Sequence, residues 1–208
     1  MTLFDEIAEN IQKGKVGSVK ELVGKAIAEG FGAKQILEEG LMAGMNSIGQ
    51  KFKNNEVFVP EVLIAARAMN AGTTLLKPLL ISEGVSVKGK IIIGTVKGDL
   101  HDIGKNLVRM MMEGKGFEVI DLGVDVCAER FVQAQKEHRA DIVACSALLT
   151  TTMGEMKKVV DAIESAGLRP GVKIMIGGAP VTDAYRREIG ADLFSVDATS
   201  AAEAALAA

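Results

Sequence analysis

The chain has 208 residues, of which 48% are hydrophobic and 25% charged, a balance typical of a globular protein with a sizeable core. A formal net charge of −3 and a pI near 5.5 argue against a nucleic-acid-binding protein, which usually carries a basic stripe. With two isolated cysteines, no basic N-terminal leader and no apolar run of about 18–20 residues, the sequence predicts a cytoplasmic protein without a membrane span.

Residues 1–81 carry helical patterns only. Thr2 and Ser18 are predicted helix N-caps, Ser18 as the start of a capping box. A third helix is predicted over about 33–52, where one apolar stripe recurs every three or four residues: Leu37, Leu41, Met45, Ile48 and Phe52. A fourth is predicted over about 60–80, with a proline at its start. This first domain is therefore predicted to be a small four-helix bundle.

Residues 82–89 contain two glycines and two serines and are predicted to form a linker. In the following domain, 90–208, short β-rich runs alternate with helical stretches. The predicted strands are Lys90–Val96, Phe117–Asp121, Asp141–Ser146, Lys173–Ile176 and Leu193–Ser195. Helices are predicted near 102–115, 127–138, 152–166, 180–189 and 199–206. This alternation predicts a flavodoxin-like (Rossmann-type), doubly wound, five-stranded parallel sheet with strand order 2-1-3-4-5.

The most distinctive run is 94–104, Gly-Thr-Val-Lys-Gly-Asp-Leu-His-Asp-Ile-Gly, which joins the first predicted strand to the helix after it. Asp99 precedes His101 by two residues, and such a carboxylate can fix a histidine tautomer and increase its basicity as a metal ligand. Gly104 lets the backbone approach a bulky group. Because no second His or Cys lies nearby, a lone histidine favours an axial ligand to a cofactor that brings its own equatorial ligands.

Other candidate residues follow neighbouring strands of the predicted sheet. Ser146 ends the third strand, and Gly177 and Gly178 end the fourth. Since the carboxyl ends of parallel strands meet at one edge of a sheet, these residues are expected to lie close to Asp99 and His101. This convergence is a second, independent indication of a ligand site.

The pattern Asp99-x-His101-x-x-Gly104 is the cobalamin-binding signature, and the longer run 95–106 resembles its methyltransferase version. From roughly Lys34 to Ala202, the chain is similar to the corrinoid methyl-carrier proteins of methylotrophic methyltransferase systems and to the cobalamin-binding module of methionine synthase. The resemblance implies cobalamin, methylated in its loaded form, with His101 as the lower axial cobalt ligand in place of the cofactor's own benzimidazole base.

The resemblance also implies two residues with a catalytic role, Asp99 and Thr152. A proton held on the Asp99–His101 pair can follow the loss and return of the cobalt–histidine bond. Thr152 matches a family hydroxyl position that supports this pair; alternatively it caps the next helix, and both roles can hold together. The implied cofactor-binding residues are Asp99, His101, Asp102, Ile103, Gly104, Ser146, Leu148, Thr150, Gly177, Gly178, Phe58, Val62 and Met69.

Within this set, the Ser146–Thr150 stretch and the glycine pair would line the pocket for the nucleotide tail. Phe58, Val62 and Met69 would belong to a helical cap that shelters the upper corrin face. Each group has a simpler interpretation as well. Leu148 is then ordinary core, the glycines form a turn, and the cap residues are bundle core only.

The function implied is that of a methyl carrier in one-carbon metabolism, between a substrate-specific methyltransferase and a methylcorrinoid:acceptor methyltransferase, with a reductive activase as a further partner. Neither nucleic acid nor a membrane is an expected partner. Because the cap must move for each transfer, the 82–89 linker is predicted to be a hinge. The chain is not expected to be a complete enzyme, since it lacks the ~250-residue barrel of a substrate-activating domain and a nucleophile–base pair.

Three alternatives stay open at the sequence level. The cobalamin-binding subunit of a carbon-skeleton mutase shares the Asp-x-His-x-x-Gly pattern but usually lacks a helical cap. A cobalamin-based light sensor normally adds a DNA-binding domain, whereas this sequence has no basic recognition helix and no tryptophan. The third alternative is a flavodoxin-like domain that binds no corrinoid.

Overall fold

In the computed structural model, which describes residues 1–208, the N-terminal unit is built from helices alone. These are α1 (Leu3–Gln12), α2 (Val16–Ala28), α3 (Ala33–Gln35), a π-helical segment (Ile36–Met42), α4 (Ala43–Lys53) and α5 (Val59–Ser82). Because α3, the π-helical segment and α4 are continuous, the unit has four helical rods, as the sequence predicts. It comprises Met1–Val87 together with Gly114–Gly116. No helix of the chain has the length and apolarity of a membrane span.

One of the two predicted N-caps is confirmed. The Thr2 side chain accepts a hydrogen bond from the backbone N–H of Asp5 and caps α1. The prediction for Ser18 is wrong, because Ser18 lies inside α2, whose N-cap is Lys15. The loop after α1 runs only from Lys13 to Lys15, so the next helix begins earlier than the capping pattern indicates.

The third rod differs from a plain α-helix. It includes the π-helical segment Ile36–Met42, where the sequence predicts regular α-helix. Nearby, the rod packs very closely on α1, since a Cβ at Gly44 would lie 2.7 Å from the carbonyl oxygen of Ala8. Glycine is therefore required at this crossing, and Ile7 and Ile11 of α1 are fully buried in the bundle core.

The second unit, Lys88–Glu113 with Phe117–Ala208, contains one five-stranded parallel sheet in the order β2-β1-β3-β4-β5. The strands are β1 (Lys90–Thr95), β2 (Glu118–Asp121), β3 (Ile142–Ser146), β4 (Lys173–Gly177) and β5 (Leu193–Phe194). The helices are α6 (Ile103–Gly114), α7 (Ala128–His138), α8 (Met153–Ser165), α9 (Asp183–Ile189) and α10 (Ala198–Ala207), with a 3-10 turn at Arg169–Gly171. The predicted Rossmann-like fold and strand order are confirmed.

The central strands β1, β3 and β4 carry buried apolar runs, as expected for a parallel sheet whose two faces are covered by helices. Ile92, Val143 and Ile174 lie in register on β1, β3 and β4, and all three are fully buried. They pack in one core with Phe131 of α7 and Met156 of α8. The sheet is therefore a rigid platform for the loops that leave its carboxyl edge.

Candidate functional site

The register of the sheet brings three strand ends side by side. Thr95 at the end of β1 pairs with Ser146 at the end of β3, and Ser146 pairs with Gly177 at the end of β4. The loops that follow carry the Asp99–His101 motif, the 147–152 segment and Gly178. The structure thus places the three predicted motifs at one edge of the sheet, where doubly wound folds bind ligands.

Asp99 and His101 form a close pair in the β1–α6 loop. Oδ1 of Asp99 lies 2.8 Å from Nδ1 of His101 and also accepts the backbone N–H of His101 at 3.1 Å. Asp99 is fully buried, whereas 51% of the His101 side chain is exposed. Because the carboxylate occupies Nδ1, Nε2 is the ring nitrogen left for a metal.

The second oxygen of Asp99 reaches the loop after β3. Oδ2 accepts the backbone N–H groups of Leu148 at 2.8 Å and Leu149 at 3.2 Å, and lies 2.8 Å from the hydroxyl of Thr152. Burial raises the pKa of Asp99, but hydrogen bonds from His101, Thr152 and the Leu148 amide outweigh it and hold that pKa far below its usual range. Asp99 is therefore a fixed anion that joins the two loops.

Thr152 is buried and immediately precedes α8, yet its side chain makes no cap hydrogen bond to that helix. Its hydroxyl lies 2.8 Å from Oδ2 of Asp99 and 2.9 Å from the carbonyl oxygen of Leu149. The single hydroxyl proton can bond to one of these oxygens at a time. Of the two interpretations given to Thr152, the structure favours contact with Asp99 over capping by the side chain.

Two further polar residues of the 95–106 run support the site, although this role was not predicted from the sequence. The hydroxyl of Thr95, fully buried, donates to the backbone carbonyl of His101 at 2.9 Å and anchors the histidine to the end of β1. Lys105, also buried, donates to both carboxylate oxygens of Asp121 and so ties α6 to β2. Both residues belong to the 95–106 run, and that membership is the sequence signal that could have identified them.

The predicted residues after His101 lie on the surface. Asp102 accepts a hydrogen bond from the Asn106 side chain at 3.0 Å, and Ile103 is 75% exposed. A Cβ built on Gly104 would meet no atom within 4 Å, so a bulky group can approach the backbone there. Leu148, whose amide binds Asp99, is exposed as well, so both segments that Asp99 joins carry an exposed apolar side chain.

The residues predicted to line the pocket for the nucleotide tail differ in how much free space surrounds them. Ser146 and Gly177 are half-buried, Thr150 is exposed, and a Cβ on Gly177 would meet nothing within 4 Å. Gly178 differs, because its φ is +137° and a Cβ there would lie 1.8 Å from the carbonyl oxygen of Ala147. Gly178 is thus required by the chain's own backbone, while Gly177 leaves space beside the sheet.

The three predicted cap residues belong to the helical unit, at the start and within the first half of α5. Phe58 is 66% exposed, whereas Val62 and Met69 are buried. Only Phe58 has a side chain free to meet a ligand in this structure. The sheltering role of the three residues stays a prediction.

The site fits a corrinoid better than a bare metal ion. No group of three or more His, Cys, Asp or Glu side chains in the chain could hold a metal ion by itself. A corrin ring supplies four nitrogen ligands of its own, so one oriented imidazole is sufficient protein ligation. Exposed apolar side chains on both segments, Ile103 two residues after His101 and Leu148 on the loop after β3, suit the face of a large macrocycle.

Comparison with known proteins agrees with this geometry. Two families, each described as a B12 binding domain, match residues 89–206 and residues 3–77. The chain is 44% identical to the dimethylamine corrinoid protein of Methanosarcina barkeri over 96% of its own length and 93% of that protein. It is 40% identical to corrinoid protein DSY3155 of Desulfitobacterium hafniense, over 99% and 96% of the two chains.

Solved structures give the same result. A cobalamin-binding protein from Desulfitobacterium hafniense matches with a TM-score of 0.81 and 34% identity, covering 99% of this chain and 97% of that one. The methanol:cobalamin methyltransferase complex MtaBC from Methanosarcina barkeri matches with a TM-score of 0.87 and 29% identity, covering 99% of this chain and 80% of the matched chain. With the Asp99–His101 pair at the sheet edge, these matches show that the chain belongs to the family of corrinoid proteins with B12 binding domains.

Proposed function

We propose that this chain binds cobalamin and carries a methyl group on its cobalt between a substrate:corrinoid methyltransferase and a methylcorrinoid:acceptor methyltransferase. The observation that carries the proposal is the half-exposed His101, whose Nδ1 is held at 2.8 Å by buried Asp99. The names of similar chains support it, since they include dimethylamine and trimethylamine corrinoid proteins and a methanol:cobalamin methyltransferase complex.

When bound, the cofactor supplies the cobalt that accepts and releases the methyl group. His101 is proposed to ligate it through Nε2, with the cofactor's own base displaced. Asp99 keeps the ring in one tautomer and orientation, and Thr152 and two backbone amides keep Asp99 in place. Ser146, Leu148, Thr150, Gly177 and Gly178 are proposed to border the nucleotide tail, and Asp102, Ile103 and Gly104 the corrin.

The partners follow from the same proposal. Relatives named for dimethylamine and trimethylamine match this chain at 44% and 42% identity, so the methyl donor is assigned to the partner methyltransferase rather than to the carrier. A reductive activase is proposed as a further partner. A cytoplasmic location is supported by two free cysteines, Cys127 and Cys145.

The helical unit is proposed to shelter the upper corrin face through Phe58, Val62 and Met69, and residues 82–89 are proposed to act as the hinge that moves it. The exposed residues Ser86 and Val87 lie outside any helix or strand in this segment. Replacing both with proline fixes two φ angles and should slow methyl transfer from a partner methyltransferase without reducing corrinoid retention. Transfer rates equal to those of the wild type would refute the hinge.

Reconstitution with hydroxocobalamin, followed by gel filtration and visible spectroscopy, tests the central claim. The wild type should retain corrinoid with bands that differ from those of the free cofactor. His101→Ala should lose the histidine-dependent bands and most of the affinity. The matched control is His138→Ala, which changes the chain's other histidine, at the end of α7, and should leave the spectrum unchanged. Identical spectra for wild type and His101→Ala would contradict cobalt ligation by His101.

A further inference from the structure

Asp125 has an unusual conformation in the loop between β2 and α7. It is exposed, and its φ of +55° places it in the left-handed region, which few residues other than glycine adopt. Such strain persists only where surrounding contacts determine it, and it is concentrated at functional sites. Contacts with surrounding residues must therefore hold Asp125 in this conformation.

Two hydrogen bonds connect Asp125 to the loop that carries the histidine. Its carboxylate accepts the backbone N–H of Gly98 at 2.7 Å, and its own N–H donates to the carbonyl oxygen of Asp99 at 3.0 Å. These two atoms lie on either side of the Asp99 α-carbon. Asp125 thus holds the backbone of Asp99 from both directions.

The segment held in this way is a tight turn. The N–H of Asp99 donates to the carbonyl oxygen of Val96 at 3.1 Å, which closes a four-residue turn with Gly98 at its third position. The φ of Gly98 is +79°, as the third position of a type II turn requires. The outward-facing N–H of Gly98 has no partner within the turn, and the carboxylate of Asp125 supplies one.

We propose that Asp125 is a positioning residue, which locks the 96–99 turn and thereby sets the direction in which Asp99 presents its carboxylate to His101. The left-handed conformation is what allows the backbone N–H and the side chain of one residue to reach both sides of Asp99. This inference rests on the proposed function, because orientation of His101 matters most if His101 ligates cobalt.

Asp125→Gly and Asp125→Asn form a matched pair that separates the hydrogen bond from the strain. Glycine accepts a φ of +55° freely but removes the carboxylate, so the fold should be retained. Asparagine also tolerates the left-handed region, and its amide oxygen can still accept the Gly98 N–H. Thermal unfolding of both apo-proteins checks that the fold is retained.

The first readout needs no corrinoid. In the ¹⁵N spectrum of histidine-labelled apo-protein, Asp125→Gly should shift the ring signals of His101, while Asp125→Asn should leave them at wild-type positions. The second readout is hydroxocobalamin affinity, which we expect to fall about tenfold in Asp125→Gly and to stay at the wild-type level in Asp125→Asn. A loss of stability alone would lower the melting temperature without moving the ring signals.

Unchanged His101 signals and unchanged affinity in Asp125→Gly would overturn the inference, as would equal losses in the two variants. A failure of the proposed function would give a different set of results. In that case His101→Ala binds hydroxocobalamin with the wild-type spectrum, and the ring signals of His101 in the apo-protein still decide the role of Asp125.

Discussion

Gly178→Ala is expected to destabilise the α/β unit by at least about 3 kcal/mol. Two costs combine in this variant. The φ of +137° is strained for any residue with a side chain, and the new Cβ would lie 1.8 Å from the carbonyl oxygen of Ala147 and 2.9 Å from its carbonyl carbon. Because both obstructing atoms are backbone, relief requires moving the end of β3 relative to β4. Urea unfolding of the apo-protein measures the effect.

The neighbouring glycine provides a matched control. A Cβ on Gly177 would meet no atom within 4 Å, so Gly177→Ala should leave the free energy of unfolding within about 0.5 kcal/mol of the wild type. If Gly177 borders the nucleotide tail as proposed, the same variant should retain less hydroxocobalamin. Equal stability losses for the two alanine variants would contradict the close approach of Gly178 to Ala147.

Asp99→Asn is the second change with a large expected effect. The Asp99 carboxylate accepts hydrogen bonds from four nitrogen atoms: the backbone nitrogen and Nδ1 of His101 and the backbone nitrogens of Leu148 and Leu149. It also lies 2.8 Å from the Thr152 hydroxyl. In Asp99→Asn, an NH2 group replaces one of the two accepting oxygens. This buried NH2 group then faces N–H groups that are themselves donors. We expect a loss of about 3 kcal/mol in unfolding free energy and a 10–100-fold loss of hydroxocobalamin affinity.

Three companion variants test this prediction. Asp102→Asn removes a charge of the same kind from an exposed position and should leave the free energy of unfolding near the wild-type value. Thr152→Val removes one of the donors around Asp99 and should cost about 1 kcal/mol, while Thr152→Ser should restore the wild-type value. If Asp99→Asn were as stable as Asp102→Asn, Asp99 could not be the anion that joins the two loops.

The sheet was predictable because its central strands are buried. Apolar runs such as Ile91–Ile93 indicate the strands, and their alternation with helices indicates the doubly wound architecture from which the strand order was expected. The last strand is the weakest case, since three residues were predicted and β5 has only Leu193 and Phe194. A strand this short depends on its neighbour β4 rather than on its own sequence.

The helical unit shows where local patterns mislead. Ser18 has the sequence of a capping box, yet a short preceding loop places it inside α2. The apolar spacing of the third rod fits a regular α-helix, and nothing in it indicates the π-helical segment Ile36–Met42. Such a segment depends on how neighbouring helices pack, which a one-dimensional period does not contain.

At the site, the sequence identified side chains that lie close together in the chain. Asp99 and His101 are two residues apart, and their contact needs only a local turn. The amides of Leu148 and Leu149 and the carboxylate of Asp125 reach this turn from other loops. Those contacts follow from the strand order and from one left-handed residue, and neither a motif nor a periodicity encodes them.

The shared carboxylate of Asp99 also sets a rule for protein engineering. Because it bonds to the histidine loop through one oxygen and to the loop after β3 through the other, each loop completes the other. Transplanting residues 94–104 alone onto another doubly wound sheet would bury a charge with half of its partners missing. A working graft would have to move residues 146–152 with them, so the smallest portable unit is a pair of adjacent strand ends.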